Sequence, residues 1–156
     1  MTGMAHFPVN HHLRPLYRAL AGLAGIFMLL FGIVELSKTS GLPLFTQDQA
    51  QWALGLRANG AFAILSIAAG AVVILANIVG RKIGHLINQL AAVIFVVVGM
   101  ASLLLLQTSA NFFGFSMSNV IVTFILALVV GTASLYDRTG TDDEAHAEET
   151  FRTARS

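Results

Sequence analysis

The chain has 156 residues, 56% of them hydrophobic and 11% charged, with a net charge of +1 and a mean hydropathy of +0.75. Soluble domains carry about 25% charged residues, so the composition points to lipid as the solvent, and the near-zero charge excludes the basic field that nucleic acid requires. The absence of Cys excludes disulfides, thiolate metal sites, c-type haem attachment and a Cys-linked lipid anchor.

A cytoplasmic segment over residues 1–15 is expected to precede the first span, Leu16–Leu36. His11, His12, Arg14 and Arg18 give the start a leader-like charge, but the apolar run of about 20 residues exceeds a cleavable core. It leads into Glu35-Leu36-Ser37-Lys38 without a small-x-small site, so we read it as an uncleaved span. The next windows are Gly60–Val79, Ile83–Leu106 and Met117–Tyr136. Each has the roughly 20 apolar residues needed to cross a bilayer, where open strands would leave backbone groups unsatisfied. The fold class expected is an all-α four-helix membrane bundle over residues 16–136.

In the first loop, Thr46-Gln47-Asp48-Gln49 matches a capping box. It predicts a short interfacial helix from Gln47 to Leu56, with Trp52 and Leu56 on one face, lying on the membrane surface or capping the bundle. The loop Gln107–Ser116 carries Phe112, Phe113 and Phe115, expected as an aromatic belt, with a ligand-gripping loop as the alternative. Ile26-Phe27 ending at Thr39-Ser40 echoes Ile94-Phe95 ending at Thr108-Ser109, which allows a parallel two-fold repeat. Residues 137–156 are expected to be an acidic, flexible cytoplasmic tail, with a capping box at Thr141 and Glu144 and an i,i+4 pair of Glu148 with Arg152, and a docking segment as the alternative to a solvated tail.

Arg14, Arg18, Arg81, Lys82 and Arg138 fall on one side of the spans, and Lys38 and Arg57 on the other. The positive-inside rule makes the first side cytoplasmic, giving a multi-pass inner-membrane protein with both termini inside. Small and polar residues recur at alternating spacings of three and four, the seam of a left-handed bundle. The stripes are Ala21, Gly25, Met28, Gly32 and Glu35, then Asn59, Ala63, Ser66, Gly70, Val73 and Asn77. The last two are His85, Asn88, Ala92, Phe95, Gly99 and Ser102, and Val120, Thr123, Ala127, Val130 and Ser134. They are expected to face inward, because helices in lipid associate through close contacts of small residues.

Ionisable groups within spans are candidate functional residues. Glu35 is expected to pair with Lys38 at the interface, with a proton or cation site as the alternative. His85, Asn77 and Asn88 are expected to form a hydrogen-bonded cluster, with a gated polar path as the alternative. Arg18 is expected to staple Asp137. Haem would need two facing His ligands inside the bundle, and only His85 lies within a span. No metal spacing, nucleophile–base set or phosphate loop is present, so no catalytic residue, metal or cofactor is expected.

The run His6-Phe7-Pro8-Val9-Asn10-His11-His12-Leu13-Arg14-Pro15-Leu16-Tyr17-Arg18, with Trp52-Ala53-Leu54-Gly55-Leu56-Arg57, Ala61-Phe62-Ala63-Ile64-Leu65-Ser66 and Asn111-Phe112-Phe113-Gly114-Phe115-Ser116-Met117, resembles the domain-of-unknown-function 4383 family of small actinobacterial four-helix membrane proteins. The resemblance covers residues 6–138 and implies a bacterial plasma membrane; the family has no assigned activity. Many members of the wider family carry an Asp and a His at the start of the last span. Ser118, Asn119 and Val120 stand there in this chain, so the resemblance carries no proton-relay role.

The function expected is a non-enzymatic accessory or scaffold component of the plasma membrane, whose partners are the lipid bilayer and either further copies or a larger complex. The alternative is a small transporter or channel using Glu35, Asn59, Asn77, His85 and Asn88. The sidedness is checked by Lys82→Cys in intact cells: a membrane-impermeant maleimide is expected to leave it unlabelled until the membrane is opened.

Overall fold

A computed structural model describes residues 12–137 and, beyond them, residues 140, 146, 147, 150, 153 and 154; of Arg81 it describes the backbone alone. The run His6–His11, Arg138, the Thr141–Glu144 box and the Glu148–Arg152 pair lie outside the described residues.

The chain forms α1 (Arg14–Lys38), a hairpin of β1 (Gln51–Ala53) and β2 (Leu56–Ala58), α2 (Gly60–Val79), α3 (Arg81–Leu105) and α4 (Met117–Tyr136). All four helices are long and apolar enough to cross a membrane. Pro15 opens α1, where its missing N–H and fixed φ suit the first turn. Gly80, at φ +60°, ends α2 and starts α3 within one residue, a backbone state that a Cβ disfavours. Asn59 caps α2 by accepting from the Phe62 N–H at 3.1 Å.

The helices run up, down, up, down. One end of the bundle holds the start of α1 and the end of α4, where Tyr17 stacks on Tyr136 with ring centroids 4.6 Å apart. The opposite end holds the hairpin. The core consists of Ala24, Met28, Val73, Ala91, Ala92, Phe95, Ala127 and Val130. The seam residues are buried, apart from Asn77, His85 and Thr123, which are half-buried. The outward faces carry exposed Leu, Ile and Val, including Leu23, Ile78, Leu86 and Leu128. This apolar exterior fits a lipid solvent.

Away from the Gly80 turn, where a Cβ on Gly84 of α3 would meet the Ala76 carbonyl oxygen of α2, the close packing joins α1 to α2. A Cβ on Gly70 would sit 2.7 Å from the carbonyl oxygen of Gly25 and 2.7 Å from the nitrogen of Leu29. A Cβ on Gly32 would meet the carbonyl oxygen of Ala63 at 2.6 Å. The two backbones therefore touch along the glycine stripe, an approach that only a missing side chain permits.

The first loop departs from expectation. Residues 47–56 do not form an interfacial helix. Thr46 Oγ1 does accept from the Gln49 N–H, at 3.3 Å, but this closes a turn and no helix follows. The chain instead enters an antiparallel hairpin pairing Gln51 with Ala58, Trp52 with Arg57 and Ala53 with Leu56. Leu54 at φ +50° and Gly55 at φ +81° supply the two positive-φ positions of a two-residue hairpin turn. Alternation then decides the faces: Ala53, Leu56 and Ala58 turn inward against Phe31, while Trp52 remains 54% exposed. Trp52 and Leu56 therefore face opposite ways, and the segment caps the bundle as a hairpin.

The second loop is not a uniform aromatic belt. Phe112 is exposed, but Phe115 is buried and meets Phe62 edge-on at 5.5 Å, and Phe113 packs against both. These rings fill the space under the hairpin.

Gly70→Ala forces two backbones apart and is expected to destabilise the bundle by about 1–3 kcal/mol. Gly22→Ala, with nothing within 4 Å of the added carbon, removes only the backbone freedom of a helical glycine and is expected to stabilise by up to about 1 kcal/mol. Reversible unfolding in mixed micelles compares them.

Candidate functional site

The polar candidates form two groups at opposite ends of the bundle. Asn59 and Asn77 begin and end α2, roughly 27 Å apart at 1.5 Å per residue, and the apolar core lies between them.

At the hairpin end, Asn59 joins three segments. Its Nδ2 donates to the carbonyls of Phe112 at 2.6 Å and Thr46 at 3.2 Å, and its own N–H donates to the Phe113 carbonyl at 3.2 Å. With its cap on Phe62, this side chain ties both loops to α2. Arg57 adds a bond to the Gln47 carbonyl at 2.7 Å.

Glu35 lies below this clasp, in the last turn of α1. The expected surface pair with Lys38 is not formed. Glu35 is fully buried, and neither carboxyl oxygen has a hydrogen-bond partner among the described residues. Lys38 turns outward and donates to the Trp52 carbonyl at 2.6 Å. The hairpin therefore takes the cation and roofs the carboxyl.

Asn119 is the functional-looking residue that the sequence reading did not single out. It is 3% exposed, in the first turn of α4. Its Oδ1 accepts from the Arg57 N–H at 3.0 Å, the Ser116 N–H at 3.1 Å and the Ser116 hydroxyl at 2.9 Å. Two of these are backbone N–H groups, which can only donate, so the atom facing them is the oxygen and the amide orientation is fixed. Its Nδ2 is buried without a partner. The sequence signal was Ser116 three residues before Asn119, a relative of the capping box.

At the other end, His85 approaches the carbonyl of Ser134 with Nδ1 at 2.6 Å. A carbonyl can only accept, so Nδ1 carries the proton and α3 is pinned to α4. Asn77 donates within its own helix to the Val73 carbonyl at 2.7 Å, and Asn88 reaches Asn77 Oδ1 by a long 3.4 Å contact. Asn77 and Asn88 are thus brought together, while His85 turns to α4.

The staple to Asp137 also differs from expectation. Arg14 makes it, with Nε 2.7 Å from Oδ1. Arg18, one turn further along α1, donates instead to the Asn77 carbonyl near the end of α2, where the helix dipole favours a cation.

A cavity of about 140 Å³ lies between the helix pairs, walled by Phe27, Phe31, Phe62 and Phe95, with Ser66, Asn119 and Thr123 as its polar lining. A more open apolar groove of about 530 Å³ runs between α3 and α4, with Ala92, Ala127 and Gly131 among its walls. Among the described residues, no group of three or more His, Cys, Asp or Glu could hold a metal. No family model, curated protein or solved structure matches the chain.

Asn59→Ala removes a helix cap worth about 1 kcal/mol and orphans buried carbonyls at about 1–3 kcal/mol. It is expected to destabilise by about 2–4 kcal/mol, whereas Asn77→Ala, which loses mainly a bond within its own helix, is expected to change stability by about 1 kcal/mol. Equilibrium unfolding in mixed micelles measures both.

Proposed function

We propose that this chain is a non-enzymatic accessory or scaffold component of a bacterial plasma membrane, with the N-terminus, the Gly80 turn and the C-terminus in the cytoplasm. The resemblance to the domain-of-unknown-function 4383 family, resting on the runs quoted above, is part of this proposal. The observation that carries it is the use made of the polar side chains. Asn59, His85, Arg14 with Asp137, and Arg18 each tie one element to another. Groups engaged in this way are poorly placed to turn over a substrate. The groove beside Ala127 and Gly131 supports association, since walls of small residues let another membrane helix approach closely.

Purification in a mild detergent is expected to give a defined oligomer or a stoichiometric membrane partner, and Val93→Trp with Leu128→Trp, on the exposed walls of the groove, to release it. A monomer without partner, unchanged by these substitutions, overturns the reading.

The buried, unpartnered Glu35 carboxyl favours a second reading, a small transporter in which Glu35 takes up a proton or cation. The apolar core between Asn59 and Asn77 opposes a continuous path from there through His85. Proteoliposome flux is expected to be at background in the native protein and in Glu35→Gln and His85→Ala. Native flux that Glu35→Gln abolishes would establish the transporter instead.

A further inference from the structure

The cavity between the helix pairs has the build of a binding site. Ligand sites are mostly apolar concavities with a few placed polar groups, and this one is lined by aromatic and aliphatic side chains with Ser66, Asn119 and Thr123. Its volume, about 140 Å³, is close to that of an apolar protein cavity of about 150 Å³ that takes up benzene. It therefore suits one ring-sized group or a short stretch of chain. Leu65 of α2 and Ile94 of α3 both line it and are 47% and 48% exposed, so the cavity reaches the outside of the bundle between these two helices. That outside is the apolar face that lipid would cover.

The polar group that sets its chemistry is Asn119. Its oxygen is held by three donors, and its Nδ2 is buried without a partner. A buried unsatisfied donor costs about 1–3 kcal/mol, and what satisfies it is an acceptor. We propose that the cavity binds one membrane-soluble molecule that carries a carbonyl acceptor on an apolar body, admitted between α2 and α3, with the carbonyl on Asn119 Nδ2. A lipid acyl ester and an isoprenoid quinone share this chemistry. The proposal rests on the membrane reading, because the opening faces lipid only if the bundle lies in a bilayer.

The test is photolabelling of the full chain in nanodiscs. One arm uses a phosphatidylglycerol with a diazirine close to the ester, the other an isoprenoid quinone with a diazirine beside the ring. Saturable labelling of Ser66, Ala69 or Leu126 is expected in one arm, which identifies the source. Ala69→Leu fills the space and is expected to cut that labelling at least fivefold while the melting temperature stays level or rises. A probe whose carbonyl is replaced by an ether (an ether-linked lipid, or the dimethyl ether of the quinol) offers Asn119 Nδ2 no carbonyl, and the same fall is expected. Non-saturable labelling of Leu75 and Leu128 on the outer face reports bilayer insertion independently. Label on the outer face alone, in both arms, overturns the site while leaving the membrane reading intact. Cavity labelling by the ether probe that equals that of the carbonyl probe overturns the role of the carbonyl.

Discussion

The approach of α1 to α2 along Gly25, Gly32 and Gly70 governs the rest of the structure. Between helices in lipid the hydrophobic effect contributes little, because a Leu is as well solvated by acyl chains as by another Leu. What remains is dispersion, which falls steeply with separation, and interhelical hydrogen bonding. With no side chain at these glycines, the backbones of α1 and α2 come into contact. At other points rings stand between helices: Phe124 lies against Gly99 across α3 and α4, and Phe27, Phe31, Phe62 and Phe95 reach into the space between the two pairs. Flat rings from three helices do not tile that space completely, and the cavity is what they leave.

The polar side chains follow from the same constraint. An amide at mid-bilayer would have few partners, because every helical carbonyl there is already taken. At helix ends, carbonyls and N–H groups are free, and that is where Asn59, Asn77, His85 and Asn119 lie. Asn59 is the clearest case. One side chain caps α2 and holds the carbonyls of Phe112 and Thr46, so the two loops close as one lid. The hairpin then needs little stability of its own, although a short isolated hairpin is marginal in water. It rests on Phe31 through Ala53, Leu56 and Ala58.

The helices and their inward faces were legible because both are periodic: length and hydropathy set the four segments, and the spacing of small residues set the seam. The hairpin was not legible. Its turn is Leu54-Gly55 rather than the Asn-Gly or Asp-Gly that announces such turns, and Thr46 with Gln49 imitates a helix start while closing only a turn. The choice between Arg14 and Arg18 for Asp137 was equally hidden. The two lie four residues apart on one helical face, and the closeness of Arg18 to Gly80, where no side chain intervenes, draws it to α2. Glu35 was misplaced for a related reason. Sequence puts Lys38 beside it, but only the fold supplies the Trp52 carbonyl that takes the Lys away.

Asn119 shows how capping and ligand chemistry can share one side chain. The start of α4 and the N–H of Arg57 need an acceptor at this point, and nothing in the fold uses the other half of the amide. A carboxylate would supply the acceptor alone, but it would add a charge beside a cavity lined by Phe31 and Phe62, where charge is expensive. A neutral acceptor with the reach of Asn brings an NH₂ with it. That NH₂ is an unmet donor on a residue that lines an apolar cavity, whose walls also include the half-exposed Leu65 and Ile94. Satisfying it from within would require another polar side chain in the core. A carbonyl arriving from the membrane satisfies it without one, and its apolar body fills the space the rings leave.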